Sequence, residues 1–255
     1  MSTFALYSDL HLEFRKEHYI TSLVENMRKN NTDYLVLAGD ICPVLHPNLE
    51  IFLSLITKGS WKKVFYVPGN HEFYCKERNV FEILLEIEKI CKDNNIQLVN
   101  TPYEASDFVL FGCTLWSNIN DNACEKMNDF HKIHGRNGLL TQKEYLNLHY
   151  KDKSFLKSRL EKYEKDPRKK IVVTHHLPTY KAIHAKYCIE RYSSYNSGFA
   201  SSLDNLLDYA NFWFFGHSHI SMDFIHRNCR LVSNPLGYIN EESDFEIDKV
   251  IKILP

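Results

Sequence analysis

The chain has 255 residues, with 31 lysines and arginines against 32 aspartates and glutamates, so its formal net charge is -1. That length suffices for one large hydrophobic core, and we expect a single domain over residues 1–255. The near-neutral charge provides no overall field that would draw the protein to nucleic acid or to an anionic membrane, although nucleic acid as a substrate is not excluded.

The seven cysteines show no C-x-x-C pair and no zinc-finger spacing, and their odd number leaves at least one unpaired. Reduced thiols suit a reducing compartment best. No apolar run approaches the ~20 residues that cross a bilayer. A cleavable signal would remove Asp9, the first residue of the chemistry described below. The sequence therefore predicts a cytoplasmic protein with no membrane partner.

Short apolar, β-branched and aromatic runs recur along the chain and predict the buried strands of an α/β sheet with helices on its faces. In chain order these runs are residues 4–7, 34–37, 64–67, 108–111, 171–173 and 212–215. Apolar residues at helical spacing predict helices between several of them: Ile20, Leu23, Val24 and Met27, then Phe81, Leu84, Leu85 and Cys91 with Glu88 in the same stripe. A third helix-like segment contains Asp204, Leu206 and Leu207.

Two segments depart from this alternation. Residues 118–165 are polar and aromatic, and we expect a helical insert that leans over the functional site. Short strand-like pieces separated by turn residues, at 222–225, 230–232 and 246–253, predict β-hairpins at the end of the chain. They favour a second, more antiparallel sheet packed on the first.

Polar blocks follow five of the predicted strands. The blocks are Asp9 with His11, Asp40, Asn70 with His71, His175 with His176, and His217 with His219. In open α/β sheets, ligands bind at the carboxyl ends of the strands. Although each block alone is weak evidence, all five are expected to converge on one crevice.

The residue types in these blocks favour a metal centre. Imidazoles combined with carboxylates and an amide oxygen suit Mn, Fe, Co or Zn, whereas Ca and Mg favour shells made of oxygen alone. Asp-x-His and His-x-His place alternate side chains on one side of an extended segment. One ion cannot use so many ligands, but two ions that share a carboxylate can, and such a pair suits in-line displacement at phosphorus.

These blocks resemble the motifs of the calcineurin-like metallophosphoesterase family, in the same order from residue 9 to residue 219. The matching stretches are Ser8-Asp9-Leu10-His11, Gly39-Asp40, Gly69-Asn70-His71-Glu72, Thr174-His175-His176 and Gly216-His217-Ser218-His219. The resemblance implies a four-layer α/β/β/α sandwich of two packed mixed sheets flanked by helices. It also implies a phosphomonoesterase or phosphodiesterase with two divalent transition-metal ions, manganese being favoured.

The resemblance assigns a role to each matching residue. Asp9, His11 and His219 would hold the first ion, and Asn70, His175 and His217 the second, with Asp40 bridging the two. A water shared by the ions would attack phosphorus. His71 is not a ligand in the family, so it is expected to act as the general acid that protonates the leaving group, or else to orient a ligand by a hydrogen bond.

The histidine doublet leaves one ligand open. Many family members have a proline two residues after the ligand histidine, and Pro178 lies three residues after His175 but two after His176. We favour His175 because it directly continues the strand. Two further stretches, at residues 112–116 and 234–238, resemble a small bacterial-type branch of phosphoesterases without fixing a substrate.

Several polar and aromatic residues near these motifs are candidates for substrate binding, although Trp116 and Tyr238 fit aromatic core packing equally well. The candidates are Trp116, Asn128, His131, His176, Tyr180 and Tyr238. A serine esterase is disfavoured because Gly216-His217-Ser218-His219-Ile220 lacks the last glycine of the nucleophile elbow, and no P-loop motif occurs. A non-catalytic interaction scaffold on the same fold is the alternative; the substrate and the oligomeric state stay open.

Overall fold

The computed structural model describes residues 1–254, apart from the side chain of Arg191. The strands are β1 (Ser2–Tyr7), β2 (Tyr34–Ala38), β3 (Lys63–Val67), β4 (Gln97–Leu98), β5 (Tyr103–Glu104), β6 (Phe108–Cys113), β7 (His134–Gly135), β8 (Gly138–Leu139), β9 (Lys169–Thr174), β10 (Phe212–Phe215), β11 (Met222–His226), β12 (Cys229–Ser233) and β13 (Ile251–Ile253). The α-helices are α1 (Glu17–Met27), α2 (Pro47–Ile56), α3 (Val80–Asp93), α4 (Asp121–Cys124), α5 (Asp129–Lys132), α6 (Gln142–Lys162), α7 (Glu190–Ser193) and α8 (Asp204–Leu207).

The strands form two large mixed sheets. The first has the order β13-β1-β2-β3-β4, in which β1 to β4 are parallel and β13 runs antiparallel to β1. The second has the order β11-β12-β10-β9-β6-β5, with four parallel strands in the centre and an antiparallel strand at each edge. The parallel strands of each sheet therefore end at a common edge.

The two sheets pack face to face between layers of helix. Because successive strand residues point to opposite faces, Ala5 and Tyr7 of β1 pack in the cluster that includes the buried faces of α1, α2 and α3, whereas Phe4 and Leu6 pack between the sheets. The outer face of the second sheet packs on the buried side of α6. This arrangement of two mixed sheets flanked by helices confirms the expected α/β fold class.

Helix α3 forms where it was expected, but most of the predicted apolar face is wrong. A capping box between Asn79 and Glu82 starts the helix at Val80. The buried residues are then Val80, Ile83, Ile87 and Cys91, while Phe81 and Leu85 are 37% and 66% exposed. The predicted stripe therefore runs alongside the true one and shares only Cys91 with the buried residues.

The carboxyl-terminal strands also differ from expectation. The hairpin of β11 and β12 forms on the second sheet. Of residues 246–253, only Ile251–Ile253 are a strand, and this strand pairs with β1 on the first sheet instead of forming a further hairpin. The second sheet is consequently mostly parallel at its centre, not mainly antiparallel.

Residues 118–165 contain α4, α5 and α6 together with the short hairpin of β7 and β8. The long helix α6 lies against the second sheet and packs through Leu156 and Leu160. The turn after α4 carries Lys126, Met127 and Asn128 to the cavity described below. None of the helices within residues 1–254 combines the length and the apolar character needed to cross a membrane.

Candidate metal centre

Five of the expected donor residues lie at strand ends in a backbone conformation that non-glycine residues rarely adopt. They have positive φ angles: Asp9 (52°), His11 (45°), Asp40 (53°), His217 (70°) and His219 (52°). Left-handed backbone costs roughly 1–2 kcal/mol per residue and is typical of functional sites. Asp-x-His and His-x-His thus bring their side chains together through sharp turns, not through the alternation of an extended strand.

Two glycines allow these turns to approach each other. A Cβ at Gly69 would lie 2.1 Å from Oδ1 of Asp40, and a Cβ at Gly39 would lie 2.5 Å from Nδ1 of His175. Gly39 also has a φ of +88°, which favours glycine. No larger residue fits at either position without displacing a donor.

Glu72, the last residue of the Gly-Asn-His-Glu motif, stabilises the same turns by hydrogen bonds to their backbone. Its buried carboxylate accepts hydrogen bonds from the backbone N–H groups of Asp40 (3.0 Å), Ile41 (2.7 Å) and Gly69 (2.7 Å). The hydroxyl of Tyr66 donates a fourth bond at 2.7 Å. One carboxylate therefore ties the end of β2 to the end of β3.

Three groups of donor atoms meet at this edge, and within each group the atoms lie within 4.8 Å of one another. The groups are Asp9, His11 and His219; His11, Asp40 and His71; and Asp40, His175 and His217. Neighbouring groups share a member, so the donors form one continuous cluster. Each group offers three ligand atoms and could hold a metal ion.

Of the histidine doublet, His175 belongs to this cluster and His176 does not. Nδ1 of His175 lies 2.9 Å from the carbonyl oxygen of Ala38, while its Nε2 lies 3.3 Å from Asp40 and 3.1 Å from Oδ1 of Asn70. A carbonyl partner at Nδ1 leaves Nε2 facing the cluster. His176 is buried outside the three groups, with Nε2 3.4 Å from the hydroxyl of Tyr145.

Asn70 also presents its oxygen to the cluster. Its Nδ2 donates to Oδ1 of Asp129 at 2.8 Å and to the hydroxyl of Tyr74 at 3.2 Å. Both amide protons are thereby directed away from the donors. Asp129 lies at the start of α5, so the segment at 118–165 reaches the metal centre through this contact.

The charges of the cluster suit divalent cations. Asp9 and Asp40 are buried carboxylates. Burial alone would lower the pKa of His175, but the charges of Asp40 and Asp9 and the hydrogen bonds with Asp40 and Ala38 together raise that pKa to about 9. Against the same effect of burial, hydrogen bonds with Asp9 and Glu241 raise the pKa of His219 to about 10. The two carboxylates thus require nearby positive charge, which bound divalent ions provide.

The surroundings of His217 also suit a metal ligand. Its Nε2 is buried and has no hydrogen-bond partner among the described residues. Burial and the nearby His176 keep the pKa of His217 well below its usual range, so the imidazole is neutral and has a lone pair to offer a metal ion. A buried, unpaired imidazole nitrogen inside a donor group is the feature that a metal ligand would have.

His71 has a partner at each ring nitrogen. Its Nδ1 lies 3.0 Å from Oε1 of Glu13, and its Nε2 lies 3.1 Å from the hydroxyl of Tyr238 and 3.9 Å from Asp40. Glu13 also lies 3.4 Å from Nδ1 of His11. Burial raises the pKa of Glu13, but the hydrogen bonds with His11 and His71 bring it down to about 2. Glu13 therefore stays charged and holds both imidazoles.

A cavity of about 470 Å³ opens beside the donors. Asn128 and Tyr238, both expected at the substrate site, line it. His131 and Tyr180 are exposed and do not line it, because α5 turns Asp129 and Phe130 inward and His131 outward. Trp116 and His176 are also absent from its wall; Trp116 is buried and packs on Phe73, Tyr145 and His176.

Sequence reasoning missed several residues that complete the site. They are Glu13, Glu72, Asp129 and Glu241, which contact donors, and Tyr74, Lys126, Tyr187, Tyr192, Tyr195 and Phe199, which line the cavity. The spacing Asp9-x-His11-x-Glu13 could have indicated Glu13. Glu72 stands in the Gly-Asn-His-Glu motif and Tyr74 lies two residues after it, so both are local to the donors, although neither was given a role. The remaining residues carry no local signal, because they come to the site from distant segments.

Among solved structures, a hydrolase and a phosphatase resemble this chain in fold. Phosphopantetheinyl hydrolase (PptH) of Mycobacterium tuberculosis superposes with a TM-score of 0.72 at 16% identity, covering 92% of this chain and 89% of that one. A dimetal phosphatase of Danio rerio superposes with a TM-score of 0.53 at 14% identity, covering 91% and 86%. At these identities the likeness concerns the fold.

Sequence comparison extends over nearly the same region. A protein of Acanthamoeba polyphaga mimivirus, named Uncharacterized protein L509, is 29% identical over 258 residues, which cover 93% of this chain and 92% of that protein. The sequence model of the calcineurin-like phosphoesterase family matches residues 2–221, a stretch that contains every donor residue described above. The chain therefore belongs to the calcineurin-like phosphoesterases and is a hydrolase of phosphoric ester bonds.

Proposed function

We propose that the protein hydrolyses phosphate esters with two divalent metal ions held by seven side chains. Asp9, His11 and His219 would bind the first ion, and Asn70, His175 and His217 the second, with Asp40 shared. The observation that carries this proposal is the continuous cluster of donor groups at the ends of β1, β2, β3, β9 and β10. One ion cannot use all these donors, since a transition metal in a protein takes about four to six ligands.

The ions would supply Lewis-acid charge to the phosphoryl oxygens and lower the pKa of a water molecule. The protein's own residues fix the geometry. Asp129 turns the oxygen of Asn70 toward the donors, and the carbonyl oxygen of Ala38 does the same for Nε2 of His175. This mixture of carboxylate, amide and imidazole suits Mn, Fe, Co or Zn, and of these we favour manganese from the resemblance to the family.

His71 is proposed as the general acid. Its Nε2 reaches Tyr238, which lines the cavity, and charged Glu13 holds its opposite nitrogen. Although burial lowers the pKa of His71, the charges of Asp40, Glu13 and Asp129 and the hydrogen bond with Glu13 together raise it above the usual value, which favours the protonated form that an acid requires. Because His71 also lies in one donor group, its test must measure metal content as well as rate.

The cavity favours a small organic ester as substrate over a macromolecule. A volume of about 470 Å³ falls in the range of about 300–1,000 Å³ typical of small-molecule pockets. The net charge of -1 gives no general attraction to polyanions. We also propose that the enzyme works in the cytoplasm, where its seven cysteines would stay reduced.

Metal titration combined with an activity panel tests this function. Metal-free protein reconstituted with Mn, Fe, Zn or Co should bind close to two ions per chain, and the loaded protein should hydrolyse monoesters or diesters. Saturation at one ion would contradict the dinuclear centre. Two bound ions with no hydrolysis of any ester would instead favour a non-catalytic scaffold.

A further inference from the structure

The cavity beside the donors is lined by aromatic side chains. Two of them contact the donor cluster: the ring of Phe199 lies 4.8 Å from that of His217, and the ring of Tyr74 lies 4.2 Å from that of His71. Three more tyrosines, Tyr187, Tyr192 and Tyr195, line the same cavity. Aromatic surface therefore begins at the metal centre and continues along the pocket.

Contacts with the neighbouring segment hold these rings in place. The ammonium group of Lys126 lies 4.2 Å from the centre of the Tyr195 ring, a cation–π contact. The side-chain amide of Asn196 donates to the carbonyl oxygen of Tyr187 at 3.1 Å, and the rings of Tyr187 and Tyr192 meet edge to face at 5.5 Å. Such pre-ordering reduces the entropy lost when a ligand binds.

Further contacts hold the chain segment that carries the tyrosine wall, by which we mean Tyr187, Tyr192 and Tyr195. Ser197 accepts a hydrogen bond from the backbone N–H of Asn120 at 3.2 Å. A Cβ at Gly198 would lie only 2.8 Å from the sulfur of Met127. Residues 195–199 are thus packed directly on residues 120–127, and the tyrosine wall belongs to the same pocket as Asn128.

The chemistry of this wall favours a flat ring as its ligand. An aromatic side chain stacks on any nucleobase with about 1–3 kcal/mol per base, because every base has a π face. A flexible aliphatic chain offers no such face and loses more conformational freedom when it binds. The amides of Asn128 and Asn196 also line the cavity and provide donors and acceptors for the edge of a heterocycle.

We propose that the substrate is a small phosphate ester whose organic group carries an aromatic heterocycle, of the chemical class of a nucleotide, and that Tyr187 and Tyr195 bind this ring. The inference rests on the proposed function, since it assumes that the phosphoryl group lies at the metal centre. It makes Tyr187 and Tyr195 specificity-determining residues that take no part in the bond cleavage itself.

Two phosphates that differ only in the ring provide the test. Adenosine 5′-monophosphate and ribose 5-phosphate share the phosphoryl group and the sugar, and their methyl diesters extend the pair to a diesterase. With metal-loaded protein, kcat/KM for the adenosine compound should exceed that for the ribose compound by about 10- to 100-fold, the equivalent of one stacking contact. Equal values would overturn the proposal.

Two variants test whether Tyr187 and Tyr195 cause the preference for the adenosine compound. Tyr195→Ala and Tyr187→Ala should each lower the ratio of the two kcat/KM values at least fivefold, mainly through KM for the adenosine compound. Tyr209→Ala is the matched control, because Tyr209 is 40% exposed and does not line the cavity; it should keep the wild-type ratio. A ratio unchanged in both wall variants would overturn the assignment.

The remaining outcomes separate this proposal from the hydrolase function. If a ring-free chain ester such as a phosphopantetheine is cleaved faster than the adenosine compound, the proposed recognition of an aromatic ring is wrong. The hydrolase function would not be affected by that result. If no ester is cleaved, calorimetry with the two phosphates decides: tighter binding of adenosine 5′-monophosphate, weakened by Tyr195→Ala, supports the ring site, and equal binding overturns it.

Discussion

Charged Glu13 holds Nδ1 of His71, whereas Nε2 lies beside Tyr238, a residue that lines the cavity, so Nε2 is the nitrogen that can reach a substrate. We expect His71→Asn to lower kcat strongly for alkyl phosphate esters, since a leaving alkoxide is a strong base and a positioned acid contributes ~10²–10⁴-fold. Nitrophenyl esters should lose far less, because nitrophenolate leaves readily without a proton. The measurement is kcat on both ester types.

Metal content is the control for this variant. His71→Asn should retain both ions, as the side chain is not proposed as a ligand. An equal loss on both ester types with the ions retained would indicate a role in positioning or charge stabilisation. Loss of an ion would place His71 among the ligands, which its membership of a donor group allows.

Asp129 controls the orientation of the only amide among the expected ligands. Its Oδ1 accepts from Nδ2 of Asn70 and from the hydroxyl of Tyr74, both at 2.8 Å. Asp129→Leu removes this acceptor, so the amide of Asn70 can turn its NH₂ group toward the donors. We expect the affinity for one ion to fall about 10- to 100-fold, the usual range for a residue that orients a ligand. Competition with a chelator measures this affinity.

Asp129→Asn is the matched variant for this prediction. An amide oxygen in the same place still accepts both hydrogen bonds, so this protein should bind both ions nearly as the wild type does. Equal loss of affinity in the two variants would show that the charge of Asp129, and not the orientation of Asn70, is what the site needs.

The donors could be found from sequence because each follows the end of a strand within one to four residues, and that position is fixed by the topology of the sheet. The way in which the donors converge could not be predicted from the sequence. Asp9 and His11 meet through left-handed backbone, which neither aspartate nor histidine indicates in a sequence. Asp129 and Glu241 reach the site from distant segments, and such contacts depend on tertiary packing alone.

At the scale of elements, the strand cores were predicted well and their surroundings less so. Fully buried strands such as β2 leave a continuous apolar run, which is a strong signal. In α3 both Leu84 and Leu85 are apolar, so the pattern fits two neighbouring faces, and the packing of Val80, Ile83 and Ile87 in the core decides between them. Ile251–Ile253 pairs with β1, a partner some 250 residues away that no local pattern reveals.

Helix α6 carries a carboxylate that makes its packing sensitive to pH. Asp152 accepts a hydrogen bond from the backbone N–H of Leu115 at 2.9 Å, and burial raises its pKa to about 7. Between its usual value of about 4 and 7, the native state binds a proton that the unfolded state releases. The free energy of unfolding should therefore fall as pH rises through this interval and level off above it.

Asp152→Asn tests this dependence. The amide can still accept from Leu115 and has no charge to bury, so the variant should gain about 1–2 kcal/mol relative to the wild type between pH 5 and pH 8. Urea unfolding of both proteins at the two pH values measures the difference. Parallel pH profiles would mean that Asp152 is already ionised in the native protein at pH 5.

At the scale of the whole molecule, the donor cluster joins the two sheets. Asp9, His11, Asp40 and Asn70 follow strands of the first sheet, whereas His175, His217 and His219 follow strands of the second. Between the sheets, the contacts are mainly apolar, from Phe4, Leu6, Val173 and Phe214 among others. Ions bound at the shared edge would therefore connect the two layers directly, at a place where the buried carboxylates otherwise repel each other.

Metal binding should accordingly stabilise the fold as a whole. A ligand that binds only the native state adds about 2.7–4.1 kcal/mol at 100 to 1,000 times its Kd. For a chain of this size, each 1 kcal/mol raises Tm by about 2–4 °C, so each ion should raise Tm by roughly 5–15 °C in calorimetry of metal-free and reconstituted protein.

Asp40→Asn should abolish most of the combined shift, because the carboxylate of Asp40 lies in two donor groups. Asp9→Asn, which changes a single group, should abolish only about half of it. An Asp40→Asn protein that kept the full shift would show that Asp40 does not bridge the ions.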